Sequence, residues 1–273
     1  MQNKPSRSLL TYAIVYLIFL YAPVMLLPLF AFNDSAIIAL PLSGFTFHWF
    51  GLLWQTKALH EALYNSLMIA LITSIGSTTL GIFAARAAAR YEFPGKRGIM
   101  GFIMVPLVLP EIIVGVALLV VLIQLGMSLS AWTVIIGHVL ICTPFSIAIL
   151  QSAFNNMDRS LEEASMDLGE NRIGTFFRVI LPLVTPGIIS SLLISFTISL
   201  DEFIIAFFLT GTDATLPVYI WSQLRFPARL PAIMALGFLM VVLSFILLLT
   251  AEYFRRRANR ITGNSTSSEE SIF

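Results

Sequence analysis

Three carboxylates interrupt stretches of the chain that are otherwise apolar: Glu111 in V-P-L-V-L-P-E-I-I-V-G, and the adjacent Asp201 and Glu202 in S-F-T-I-S-L-D-E-F. No Lys or Arg lies within either run to neutralise them. Ionisable groups at membrane depth are costly and as a rule functional. The chemistry open to them is charge pairing with a cation that travels a low-dielectric path. Neighbours on a helix diverge by about 100°, so Asp201 and Glu202 cannot both face one way; one faces a pathway and the other an interface. A structural use is equally open, in which the acids cap a broken helix, sit at the outer interface or are protonated. Pro110, directly before Glu111, fits a helix start, where acids are favoured.

Other chemistry finds little purchase. His48, His60 and His138 have no metal-ligand spacing, and no Ser or Cys sits in a nucleophile motif. Gly95-Lys96-Arg97 lacks the upstream glycine and the hydroxyl residue of a phosphate loop. The lone Cys142 offers neither a disulfide framework nor a cysteine metal site. An enzyme reading thus has little support, and no cofactor or metal bound by this chain is expected.

The elements that must position these acids follow from composition. The chain is 58% hydrophobic and 11% charged, whereas soluble domains hold about 25% charged residues. A hydrocarbon core of roughly 30 Å needs about 20 apolar residues per helix. Six runs qualify, near 9–32, 63–85, 99–123, 132–154, 180–209 and 232–253. An all-α integral membrane protein with six transmembrane helices is the economical reading. Pro106, Pro110 and Glu111 interrupt the third run, and Pro182 and Pro186 give the fifth a bent or interfacial start.

Placing the N-terminus in the cytoplasm puts every Lys and Arg inside except Lys57, Arg225 and Arg229. The positive-inside rule therefore sets both termini and the segment Ser160–Pro182 in the cytoplasm. The first run exceeds the apolar core of a secretory signal and is read as a retained helix. Residues 1–62 form that helix and an outer loop whose Phe45, Phe47, Trp49, Phe50 and Trp54 suit an interfacial belt. Residues 63–254 form the main membrane domain, and 255–273 a Ser/Thr-rich cytoplasmic tail of disordered composition.

The segment S-L-E-E-A-S-M-D-L-G-E-N-R-I-G-T-F-F-R-V-I-L-P is far more polar than a connecting loop requires. Ser160 and Glu163 have capping-box spacing, which predicts a helix over 160–169. Leu161, Ala164, Ser165 and Leu168 would form one small apolar face, and Gly169 would stop the helix in the left-handed conformation. Two turns are marginal alone, so the face needs a surface: the membrane, the protein's own helices, or a partner.

Glu163-Ala164-Ser165, three residues, Gly169, nine residues, then Val179-Ile180-Leu181-Pro182 resembles the E-A-A-x₃-G-x₉-I-x-L-P signature of permease subunits of binding-protein-dependent ABC importers. Ser165 replaces the second Ala and Val179 the Ile. The resemblance implies a type I importer transmembrane domain over roughly Asn65 to Tyr253, in the bacterial inner membrane. It also implies partners: a second, similar permease, two ATPase subunits that use ATP and Mg, and a periplasmic solute-binding protein. By the same resemblance the polar helix is the coupling helix that docks in the ATPase, with Glu162, Glu163, Ala164, Asp167, Leu168 and Gly169 as the contact. For Glu163 itself, holding the first turn competes with touching the partner.

The stretches P-L-V-L-P-E-I-I-V-G, V-I-L-P-L-V-T-P-G-I-I and S-F-T-I-S-L-D-E-F are similar to those of the second permease of spermidine/putrescine transporters. That likeness implies a polyamine substrate with Glu111, Asp201 and Glu202 along its path. An importer of another small organic solute, an ion-gradient-driven secondary transporter with Asp201 or Glu202 as protonation site, and a membrane scaffold are the competing readings.

Overall fold

The computed structural model describes residues 7–243 together with 245, 246 and 249. Lys4, most of the sixth apolar run beyond residue 243, the Arg255–Arg257 and Arg260 cluster and the Ser/Thr-rich tail lie outside the described residues. In chain order the helices are α1 (Arg7–Ala31), α2 (His48–Gln55), α3 (Lys57–Arg90), α4 (Lys96–Ile103), α5 (Glu111–Gln124), α6 (Ala131–Asn155), α7 (Arg159–Asp167), α8 (Arg172–Thr175), α9 (Leu181–Asp201), α10 (Ile204–Leu209) and α11 (Leu216–Gln223). An apolar helix over Pro227–Leu243 follows. Among the described residues, four helical stretches are long and apolar enough to cross a membrane: Ser8–Ala31, Lys57–Arg90, Ala131–Asn155 and Arg172–Asp201.

The third apolar run is not one helix. Pro106 lies in a 3₁₀ turn at Val105–Leu107, and Pro110 is extended before α5 starts at Glu111. Each proline removes a backbone donor and disfavours α geometry in the residue before it. The fifth run also divides, because α9 ends at Asp201 and α10 starts at Ile204. Its bent start is a π-helical turn at Phe176–Ile180, where Leu181 N–H donates to Phe176 five residues back. Pro182 cannot make the ordinary bond to Arg178, and its ring crowds that carbonyl, which opens the turn.

The chain divides into two compact units, residues 1–56 with 222–273, and residues 57–221. In the described part of the first, Phe32 stacks on Phe45 and meets Phe50 and Phe238, while the Trp49 indole N–H donates to Asn33 carbonyl at 2.8 Å. Trp49 is therefore buried; Phe45, Phe47 and Trp54 remain exposed.

In the second unit α3, α6 and α9 pack together through small residues that let their backbones approach, as membrane helices do. Ser191, Ser195 and Ser199 lie at i, i+4 and i+8 on α9 and all are buried. Ser191 bonds Thr78 of α3 at 3.0 Å, Ser195 bonds Ser146 of α6 at 2.9 Å, and Ser199 bonds His138 of α6 at 2.7 Å. Beside this ladder, Ile69, Val114, Val134, Ile135, Ile205 and Leu209 form an apolar core joining α3, α5, α6 and α10. At the other end, Ala85, Ile147, Leu150, Phe154, Ile180 and Val184 form a second one.

Candidate functional site

Two places in the 57–221 unit carry the chemistry: the break between α9 and α10, and the polar segment around α7. At the break, Glu202 leaves helical geometry for an extended conformation. Its carboxylate turns forward and accepts the N–H groups of Ile205 and Ala206, each at 2.9 Å, which caps α10. Glu202 Oε2 also lies 3.1 Å from His138 Nε2, and His138 Nδ1 lies 2.7 Å from Ser199 Oγ. Gly137, adjacent to His138, allows the approach of α10, since a Cβ there would stand 2.6 Å from Leu209 Cδ1. Glu202 is thus held by two backbone donors, with His138 Nε2 at ion-pair distance but making no hydrogen bond to it.

The sequence reading found no Lys or Arg to neutralise these acids and passed over His138. The missing signal was that a lone His in an apolar run is itself an ionisable group at membrane depth. Ser199, His138 and Glu202 have the composition of a hydrolytic triad. They are 3%, 0% and 7% exposed and locked within helix packing, so no acyl substrate reaches the serine. Asp201, one residue earlier, is exposed and makes no ion pair or hydrogen bond among the described residues. Glu111 occupies the first turn of α5 and is exposed as well. The three acids therefore divide: Glu202 is structural in its contacts, and Asp201 and Glu111 are open.

Around α7 the helix exists, but its start differs from the expected one. It spans Arg159–Asp167 and is capped by Asp158, whose carboxylate accepts Ser160 N–H at 3.0 Å. That donation holds the Asp158 carboxyl below the usual carboxylate range. The Ser160–Glu163 capping box does not form, because the helix begins before Ser160 and Glu163 stands exposed with no hydrogen bond among the described residues. The end is as expected. Gly169 has φ +92°, Gly169 N–H donates to Met166 carbonyl and Glu170 N–H to Ser165 carbonyl, the paired bonds of a Schellman stop.

The predicted apolar face separates into two. Ser165 is buried, with its hydroxyl 3.1 Å from Thr175 Oγ1 of α8, so the residue that departs from the Ala of the signature finds a local partner. Ala164 and Leu168 face outward, Leu168 being 88% exposed, and Asp167 and Gly169 are exposed with them.

The family resemblance puts Glu162 in the ATPase contact, yet it points inward to α3. Its oxygens lie 3.3 Å from Arg86 Nη2 and 3.1 Å from Arg90 Nε. Arg86 also covers the Phe176 ring at 4.6 Å, and Arg90 Nη2 donates to Met157 carbonyl at 3.1 Å. At about 1.5 Å per residue the 34 residues of α3 span about 50 Å, more than the roughly 30 Å hydrocarbon core, so a helix end can reach this segment. The polar helix is thereby tied to a spanning helix by two cations and one anion.

Residues 77–260 match the family described as binding-protein-dependent transport system inner membrane component. The chain is 35% identical over 251 residues to the putrescine transport system permease protein PotI of Escherichia coli (strain K12), covering 89% of this chain and 88% of that one. It is 32% identical over 257 residues to the spermidine/putrescine transport system permease protein PotC of Haemophilus influenzae, covering 93% and 99%. Its fold is similar to a crystal structure of a bacterial ABC transporter involved in the import of the acidic polysaccharide alginate, with TM-score 0.71 and 16% identity over 91% of this chain and 99% of that one.

Proposed function

The chain belongs to the family of binding-protein-dependent transport system inner membrane components, and from that premise we propose that it is the permease subunit of an ATP-driven importer carrying a polyamine across the inner membrane by alternating access. Six spans with both termini in the cytoplasm complete this reading, the third assembled from α4, the 3₁₀ turn and α5. Its partners are a second permease, two ATPase subunits that hold ATP and Mg, and a periplasmic binding protein. The observation that carries the substrate is Asp201, a carboxylate left open at a helix break in a chain related to polyamine permeases.

In this mechanism closure of the ATPase dimer moves α7 through its exposed face, with Ala164 and Leu168 packing and Glu163 offering charge. The Glu162 clamp passes that movement to α3. Asp201 and Glu111 pair with the ammonium groups of the substrate, and Glu202 supports Asp201 by fixing the break.

Uptake of labelled putrescine and spermidine by the reconstituted complex tests this reading. Asp201→Asn is expected to lower uptake at least tenfold, about 1.4 kcal/mol or more of lost interaction, and Leu168→Arg to abolish it by blocking ATPase docking. Uptake should persist when the proton gradient is collapsed and ATP maintained. Unchanged uptake and preference in the Asp201→Asn, Glu111→Gln double variant would remove the polyamine path, and competition by unrelated solutes would reassign the substrate.

A further inference from the structure

The Glu162 clamp leaves an imbalance of charge. Arg86 and Arg90 keep only 18% and 10% of their side-chain surface exposed, yet they share one carboxylate. Arg90 Nε lies at ion-pair distance from Glu162 but forms no hydrogen bond with it, so a buried donor stays open. Arg172 is at the edge of the same place and pairs with no acid among the described residues. Asp158 is near enough to Arg90 to feel its charge, but it lies at the surface and is already engaged with Ser160 N–H. Two withdrawn guanidinium groups thus share one inward-facing acid, and the exposed Arg172 adds a third positive charge at the rim. Withdrawn cations in such excess are costly unless an anion joins them.

A cleft is present between these groups. Arg86, Arg90, Tyr91, Glu162, Arg172 and Thr175 line a volume of about 190 Å³. Ligand pockets for drug-sized molecules begin near 300 Å³, so this one suits a single small headgroup and excludes a nucleotide. We infer that the cleft joining α3, α7 and α8 is a binding site for a phosphate group. A guanidinium fork matches phosphate geometry as it does carboxylate, and the two withdrawn arginines with Arg172 at the rim leave positive charge that a phosphate can take up. The site lies at the terminus of a spanning helix beside Tyr91, where an aromatic suits the headgroup layer. The phosphate can therefore come from an anionic lipid, as basic pockets at that depth take up, or from a soluble phosphomonoester. Either one bridges the spanning helix to α8 and stiffens the polar segment that α7 caps.

The full-length chain, with the subunits that purify with it, is titrated in detergent with inorganic phosphate and with glycerol 3-phosphate while melting and binding heat are followed. In parallel it is placed in nanodiscs of phosphatidylcholine with and without phosphatidylglycerol, and retained lipid is identified by native mass spectrometry. A soluble source gives stabilisation by the free phosphates. A lipid source gives none from them but stabilisation by, and retention of, phosphatidylglycerol. In both cases Arg172→Gln should weaken the effect about tenfold, the scale of one lost charge-assisted bond. Arg172→Lys should keep most of it, and Arg97→Gln, away from the cleft, should change nothing. Glu162→Gln should tighten binding by removing the competing carboxylate, a gain that damaged folding cannot mimic. The site is lost if no phosphate species stabilises the protein, or if Arg172→Gln leaves the stabilisation whole.

Discussion

The chain carries two adjacent acid pairs, Glu162-Glu163 in the polar segment and Asp201-Glu202 at the break between α9 and α10, and the structure treats them alike. One member of each is drawn inward and the other is left at the surface. The inward residue is the first of the α7 pair and the second of the pair at the α9–α10 break. Each captured carboxylate finds partners more than sixty residues away in sequence: Arg86 and Arg90 for Glu162, His138 for Glu202. The pairs differ in the counter-charge. Guanidinium forks offer several donors at once, whereas an imidazole offers one ring nitrogen to each partner. The tether at α7 thus rests on two guanidinium groups, and the one at the α9–α10 break on an imidazole and two backbone donors.

The sharpest way to break the comparison is to empty the inner positions. Glu202→Ala leaves the N–H groups of Ile205 and Ala206 buried without a partner and strips the carboxylate from beside His138 Nε2, and should cost roughly 3–5 kcal/mol of stability by melting in detergent. Glu162→Ala strands two guanidinium groups that still reach some water, and should cost about 2 kcal/mol. A larger loss at Glu162 than at Glu202 would reverse the ranking of the two tethers. The outer members sharpen it from the other side. Asp201→Asn and Glu163→Gln should each leave melting within roughly 0.5 kcal/mol of the parent, as surface positions do. Ser165→Ala, which restores the alanine of the family signature, should cost about 0.5–1.5 kcal/mol through its bond to Thr175. The smallest effect is one of pH. Because the Asp158 carboxyl is lowered by Ser160 N–H, its cap is fully present above the ordinary carboxylate range and is lost as pH falls through the lowered value. Faster amide exchange at Ser160 should appear only below the range where free carboxylates protonate.

How much of this was legible in the residues varies with the distance over which each feature is decided. The stop at Gly169 could be read because a left-handed residue after a short periodic segment is a local matter. Glu111 at the start of α5 could be read for the same reason, since Pro110 constrains its own neighbourhood. The start of α7 could not be read with the same ease. Asp158 and Ser160 are both good caps, and the choice between them depends on where Arg90, Met157 and Glu162 pull the chain. The single apolar face drawn over Leu161, Ala164, Ser165 and Leu168 failed because Thr175 of the next helix takes Ser165 away from it.

By itself the sequence determined a helical membrane chain, the breaks at its prolines, a capped polar helix ended by glycine, and two adjacent acid pairs whose members had to diverge. Those follow from composition and from the fixed turn of a helix. Tertiary structure alone decided which acid of each pair is held and which is free. That outcome depends on where α3 and α6 bring Arg86, Arg90 and His138, and a carboxylate withdrawn from water is stable only where a distant cation or donor meets it.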